Sequence, residues 1–246
     1  MGFEPTEYGI TALSRFQDGS VRPLRHPSGE TVALQVITRL VGAVTIGQAP
    51  RPDLLEPLLA RLPAGVEVTE VGALDPLGPD DLPKGGDGAY PLTTRLRDAR
   101  TVTLDEAFLA PLVQAAVDEA ERRGATTTLL LCAGGFPDVR ARGVLVRPFD
   151  AAVAELRSFG ARRIAVIVPI EAQVSPSERK WRAAGFDPIV IVGSPPALDA
   201  VTGISAVVLD YVGHPTADVA ALRAALTVPL IDLGEAGAAA AAARFR

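Results

Sequence analysis

Apolar and polar residues are spread unevenly along the 246-residue chain. Residues 1–30 are polar, punctuated by Gly and Pro and without apolar periodicity, which predicts a poorly ordered segment. From Leu40 on, short apolar runs alternate with amphipathic stretches. Residues 41–46 read as a strand ending in Gly47. Pro52 and Asp53 open a helix with Leu54, Leu55, Leu58, Leu59 and Leu62 on one broad face. Residues 66–71 read as a strand, and residues 75–91, rich in Gly and Pro, as a long surface loop of a kind that often carries function. Residues 93–97 and 101–104 pair as short strands around a turn. Thr103 and Glu106 have capping-box spacing for a long helix that Gly124 stops after Arg122 and Arg123. Residues 126–132 show no polar alternation beyond their threonines, the pattern of a strand covered on both faces in a parallel sheet.

The second half repeats this grammar. Residues 149–159 form a helix ended by Gly160, and residues 163–168 a strand ended by Pro169-Ile170-Glu171. Ser175, Pro176 and Glu178 supply an N-cap, a first-turn proline and a capping-box partner for a helix over 177–184. Strands follow over 188–192, 206–210 and 228–231, with a helix over 217–226 between the last two. An Ala-rich helix over 235–245 closes the chain and is expected to pack back on the first half. The expected fold is α/β: two flavodoxin-like parallel-sheet lobes related by pseudo-twofold symmetry, with a cleft between them. Residues 40–146 plus 233–246 form the first lobe and residues 147–232 the second. Ligands of open parallel sheets bind beyond the carboxyl ends of the strands. Gly47-Gln48, Cys132-Ala133-Gly134, Pro169-Ile170-Glu171 and the loop from Asp210 to His214 all sit at such ends, so all four are expected to converge on one cleft.

Composition narrows the function. Apolar residues make up 48% and charged residues 22%, ordinary globular usage. The net charge of −5 gives no global attraction for nucleic acid or an anionic membrane. Mean hydropathy is +0.25, yet no run of about 18 apolar residues exists. A cytoplasmic protein without nucleic-acid or membrane partners is expected. A homodimer stays open, with no residue marking its face. Cys132 is the sole cysteine, which excludes an internal disulfide and any mechanism needing two cysteines in one chain. Metal-ligand spacing, a P-loop, a dinucleotide fingerprint and a Gly-x-Ser-x-Gly elbow are all missing, so neither metal nor cofactor is expected.

Cys132 is the sharpest candidate. It follows a buried strand and precedes small residues whose amides could face an anion, so a lowered pKa and a nucleophilic or proton-carrying role are expected. A buried structural thiol is the commoner alternative. Tyr211 could donate a hydrogen bond or a proton, and His214 could act as acid or base. Alternatively Asp210 caps the turn and His214 faces solvent. Gly47, Gln48 and Arg51 lie where a strand meets a helix N-terminus, and Arg95 offers a second guanidinium for a carboxylate. Trp181, after Lys180, reads as packing.

Several segments resemble the AroM family in order and spacing. They are Ala43 to Arg51 with Asp53, Gly72 to Asp75, Tyr90 to Asp98, Leu129 to Pro137, Val166 to Gln173, Lys180-Trp181 and Val208 to Gly213. The resemblance covers about residues 40–246 and leaves out residues 1–39. There, Gly2-Phe3-Glu4-Pro5 back-translates as GGA-TTC-GAA-CCN, which resembles the antisense strand of a transfer-RNA T-arm. Residues 1 to about 36 are therefore expected either to come from a mis-assigned start codon or to form a real but floppy arm.

AroM proteins are similar to the aspartate/glutamate racemase superfamily. That likeness implies two lobes around a carboxylate-binding cleft and cofactor-free chemistry by one cysteine from each lobe. Cys132 matches the first-lobe cysteine; the second would fall at Tyr211, and here the chain departs. A tyrosine with a pKa of about 10 is a poor match for a thiol of about 8.5, so a symmetric two-base racemase is not expected. Isomerisation or decarboxylation of a small carboxylic acid fits better. Cys132, Tyr211 and His214 would be catalytic. Gly47, Gln48, Arg51, Arg95, Ala133, Gly134, Glu171 and Gly213 would bind substrate. A binding or sensing protein for a small carboxylate, and a structural subunit with a vestigial cleft, are the competing readings.

Overall fold

The computed structural model describes residues 39–83, 88–193 and 202–246. The expectation for residues 1–39 therefore lies outside the described residues, except that Arg39 already belongs to the first strand. The first lobe runs β1 (Arg39–Thr45), α1 (Pro52–Leu59), β2 (Val66–Gly72), a hairpin of β3 (Pro91–Arg95) and β4 (Thr101–Asp105), α2 (Glu106–Arg122), β5 (Thr127–Leu131) and β6 (Val144–Val146). The second runs α3 (Pro148–Ser158), β7 (Arg163–Val168), α4 (Val174–Ala183), β8 (Asp187–Val192), β9 (Ala206–Leu209), α5 (Thr216–Ala225) and β10 (Leu230–Asp232), after which α6 (Leu233–Ala242) closes the chain. Among the described residues no helix is long and apolar enough to cross a membrane.

Each lobe holds a four-stranded parallel sheet. The orders are β2-β1-β5-β6 and β8-β7-β9-β10. Both read second, first, third, fourth, the doubly wound order in which strand direction of travel reverses between the first and third strands. This identity of order is the pseudo-twofold relation. It places one switch point between β1 and β5 and the other between β7 and β9. The strands at those points carry the cores: all five residues of β5 are buried, as are five of the six in β7. Helix α6 touches both lobes, packing on α1 and β5 of the first and on α3 and β10 of the second. Its small residues allow the approach; a Cβ on Gly237 would lie 2.9 Å from the Pro148 side chain.

Two helix starts differ from expectation. Thr103 stays inside β4, its Oγ1 3.3 Å from that of Thr93. Asp105 caps α2 instead, accepting from the Ala107 N–H at 2.8 Å. The chain is still extended at Thr103, so the cap falls to the last extended residue before the helix. A short 3₁₀ turn over Glu171–Gln173 leads straight into α4 at Val174, so Ser175 and Pro176 lie within its first turn. Proline is tolerated there because the first N–H groups of a helix lack partners anyway. The edge strand β6, not anticipated in the sequence, extends the first sheet beside β5.

Candidate active site

The carboxyl ends of the four switch-point strands line one cleft of about 190 Å³. Thr45 and Ile46 come from the end of β1, and Leu131, Cys132 and Ala133 from the end of β5. Pro169 comes from the end of β7, and Asp210, Tyr211 and Val212 from the end of β9. The β3–β4 hairpin closes one side with Leu92, Thr93, Thr94, Arg95 and Thr101, next to Tyr90. The hairpin is tied to the second lobe by Gln173, whose side-chain amide donates to the Pro91 carbonyl at 2.9 Å.

Cys132 is 4% exposed, and the Gly134 N–H donates to its Sγ at 3.2 Å. The backbone must come this close without a side chain: a Cβ on Gly134 would sit 2.8 Å from Phe136 and 2.9 Å from Leu92. Phe136 adopts φ +40°, and its N–H donates to Glu106 Oε1 at 2.5 Å, which fixes the turn to the start of α2. The expected lowering of the thiol pKa does not occur. Burial pushes it up to about 12, against the Gly134 N–H and the Lys180 charge, with the Glu106 and Asp210 carboxylates adding to the rise. Burial therefore favours the protonated thiol over the thiolate.

Behind Ala133 lies a buried charge pair. Lys180 Nζ donates to Asp210 Oδ1 at 2.7 Å and to the Ala133 carbonyl at 3.1 Å. The other oxygen of Asp210 accepts from Ser177 Oγ at 2.5 Å and from Trp181 Nε1 at 2.9 Å. Burial disfavours the Lys180 ammonium, but the Asp210 carboxylate and Tyr90 together outweigh it, and the Lys180 pKa stands above its ordinary value. Aromatic faces surround the ammonium, with the ring centroid of Phe149 at 4.9 Å and that of Tyr90 at 5.7 Å. Burial pushes the Tyr90 phenol up to about 12, partly offset by Lys180.

The other candidates separate into those that line the cleft and those that do not. Arg51, Arg95, Ala133 and Tyr211 line it. Arg51 donates from Nε and Nη2 to the two oxygens of Asp53 at 2.9 and 2.7 Å. That pairing holds the Asp53 carboxyl below the usual carboxylate range. Arg95, 52% exposed, reaches Asp53 only at 4.0 Å and keeps most of its donors for a ligand. Gln48 is committed to the scaffold. Its Nε2 donates to the Leu74 and Leu77 carbonyls, and its Oε1 accepts from the Arg97 N–H. Gly47 is needed because a Cβ would lie 2.4 Å from the Arg95 carbonyl oxygen. Gly213, at φ +102°, lets the loop after β9 pass Leu54 of α1. Glu171 is exposed and outside the lining.

His214 stands one layer behind Tyr211. The two ring centroids are 3.6 Å apart, and His214 Nδ1 lies 2.8 Å from Asp232 Oδ2 without hydrogen-bond alignment. Burial, with the Asp232 and Asp218 charges, raises the Tyr211 pKa. The Lys180–Asp210 pair and Tyr90 went unassigned as site residues in the sequence. Its signal was the spacing of Ser177, Lys180 and Trp181. At i, i+3 and i+4 these share one face of α4, and a face carrying a buried tryptophan beside a lysine calls for a counter-charge.

Glu106 yields a pH prediction. Burial raises its carboxyl pKa, against the Phe136 N–H and Lys180. A raised carboxyl favours folding fully below the usual carboxylate range and loses that contribution as pH rises through the folded-state value. Glu106→Gln removes this titration, so its stability relative to the natural chain should rise from about pH 4 to about pH 7. Urea unfolding at both pH values checks this; a constant or falling difference contradicts it.

Among curated protein sequences none matches the chain. Solved structures share its fold. Allantoin racemase from Klebsiella pneumoniae aligns with a TM-score of 0.58 and 16% identity, over 83% of this chain and 86% of that one. The sulfate-associated Gly74Cys mutant of arylmalonate decarboxylase gives 0.56 and 16%, over 83% and 93%. Maleate isomerase Iso from Pseudomonas putida S16 gives 0.52 and 13%, over 81% and 89%. These likenesses show that the chain shares its α/β fold with these proteins. The AroM protein family profile matches residues 41–243, which takes in every lining residue of the cleft, and the chain belongs to the AroM family.

Proposed function

We propose that this protein is an enzyme that moves a proton at a carbon of a small carboxylic acid, as an isomerase or decarboxylase, without a cofactor. The neutral Cys132 thiol at the floor of the cleft carries this reading. A protonated thiol is ready to give its proton to a carbanion formed beside a carboxylate. The cleft, at about 190 Å³, is smaller than pockets for drug-sized ligands and suits a metabolite of a few carbons. Arg95, with Arg51, supplies positive charge for the carboxylate. By the family resemblance, Tyr211 takes the position of the second base of a two-base racemase. With its pKa raised it holds its proton at neutral pH and serves as a hydrogen-bond donor. The racemase, decarboxylase and isomerase among the similar folds support proton chemistry of this kind.

The test is proton NMR in deuterated water with a panel of small mono- and dicarboxylic acids, each first screened by thermal shift. The expected result is, for at least one stabilising acid, deuterium at a carbon next to a carboxylate, a change of double-bond geometry, or loss of a carboxylate. An acid that saturates the protein and shows none of these would establish the binding or sensing reading instead.

A further inference from the structure

Lys180 is a buried cation, its side chain 11% exposed, that does not itself line the cleft. It meets the cleft lining at Asp210, at the Tyr90 ring and, nearest Cys132 in the chain, at the carbonyl oxygen of Ala133. The next residue, Gly134, sends its N–H to the Cys132 sulfur. We propose that Lys180 is a positioning residue for Cys132: anchored by Asp210, its ammonium fixes the Ala133 carbonyl and holds a positive charge behind the sulfur as the thiolate forms.

The inference rests on Cys132 acting as proton donor. In that step the S–H bond breaks and its electron pair stays on sulfur. The electron pair of the substrate carbanion takes the proton to form the new C–H bond, and water later returns a proton to the sulfur. The thiolate so formed sits in a buried site. The charged or titratable groups around it are Glu106 of α2, Asp210 after β9, Tyr90 before β3 and Lys180 of α4. Two of these are carboxylates, which oppose a second negative charge, and Lys180 is the cation among them. A buried thiolate without it would form against burial and two like charges together.

A structural strut and a charge that favours the thiolate make opposite predictions for one measurable rate. Cys132 is the sole cysteine, so alkylation by iodoacetamide, followed by mass spectrometry across a pH series, reports its thiolate alone. Lys180→Gln keeps donors for Ala133 and Asp210 but removes the charge. It should alkylate about tenfold more slowly than the natural chain at each pH, one pKa unit's worth of thiolate. Lys180→Met should do the same, and Lys180→Arg should return the rate to within about threefold of the natural chain. If loosening the loop were all that Lys180 controls, the neutral variants would alkylate as fast as the natural chain or faster, and that outcome overturns the proposal. Circular dichroism confirms that each variant is folded, and Lys180→Gln stands alone if Lys180→Met is not. The assay needs no substrate. Slower alkylation, together with an acid that saturates the protein and is not turned over, would therefore keep the charge effect of Lys180 on the thiolate and reject the enzymatic reading.

Discussion

Asp210→Asn should destabilise the protein by about 3–5 kcal/mol, the range for removing one partner of a buried ion pair. The Asp210 side chain is 2% exposed, and its two oxygens meet three donors. Asparagine keeps one acceptor oxygen and turns the other into a donor, so at least one of Ser177, Lys180 and Trp181 loses its acceptor. The greater cost is electrostatic. Lys180 is left in a shell of Tyr90, Phe149 and Trp181 rings without its counter-charge. It must then either stay charged and unpaired or release its proton. Lys180→Met should cost a similar amount by stranding the carboxylate. The double variant Lys180→Met/Asp210→Asn buries no charge and should cost less than the two singles added together by about 2 kcal/mol or more. Urea unfolding of all four proteins measures that coupling. Costs that add to within about 0.5 kcal/mol would mean that the two side chains do not act as a pair.

The same pair marks where the sequence stops being informative. The lobes were legible because apolar runs such as that of β7 name their own environment: residues buried on both faces have to be apolar. The order of elements, with each strand followed by a special loop, then located the cleft. Cys132, Ala133, Tyr211 and Arg51 were placed beside the cleft this way, since a strand end at a switch point is a topological address. What a side chain bonds to is not written in its neighbours along the chain. Gln48 occupies such an address, yet its amide spans from the loop after β2 to the hairpin, partners 26 and 49 residues away. Asp210 and Lys180 are 30 residues apart, and their burial depends on α4 laying one face against the end of β9. The thiol shows the same limit. Small residues after Cys132 suggested an anion-holding turn, and one amide does point at the sulfur, but burial of the thiol outweighs it.

Replacing Cys132 should have the largest effect on activity. General acid catalysis by one positioned group contributes about 10²–10⁴ in rate, so Cys132→Ala should lower turnover of the substrate found in the acid panel by that factor. The fold should survive, because the change removes one small buried atom at the edge of a cleft, at a cost of about 1 kcal/mol. Cys132→Ser is the sharper variant. Its hydroxyl can accept from the Gly134 N–H as the sulfur does, so the loop keeps its geometry. It differs in acidity: an alkoxide is a far less stable product of proton donation than a thiolate. If Cys132 gives a proton, serine should therefore fail nearly as badly as alanine, although it fills the site. If Cys132 only shapes the cleft, serine should stay within about tenfold of the natural chain, and the proton would have to come from another lining group. The comparison separates acidity from shape because the two replacements bracket the thiol, one sharing its hydrogen bond and neither sharing its ability to hold a negative charge beside Lys180.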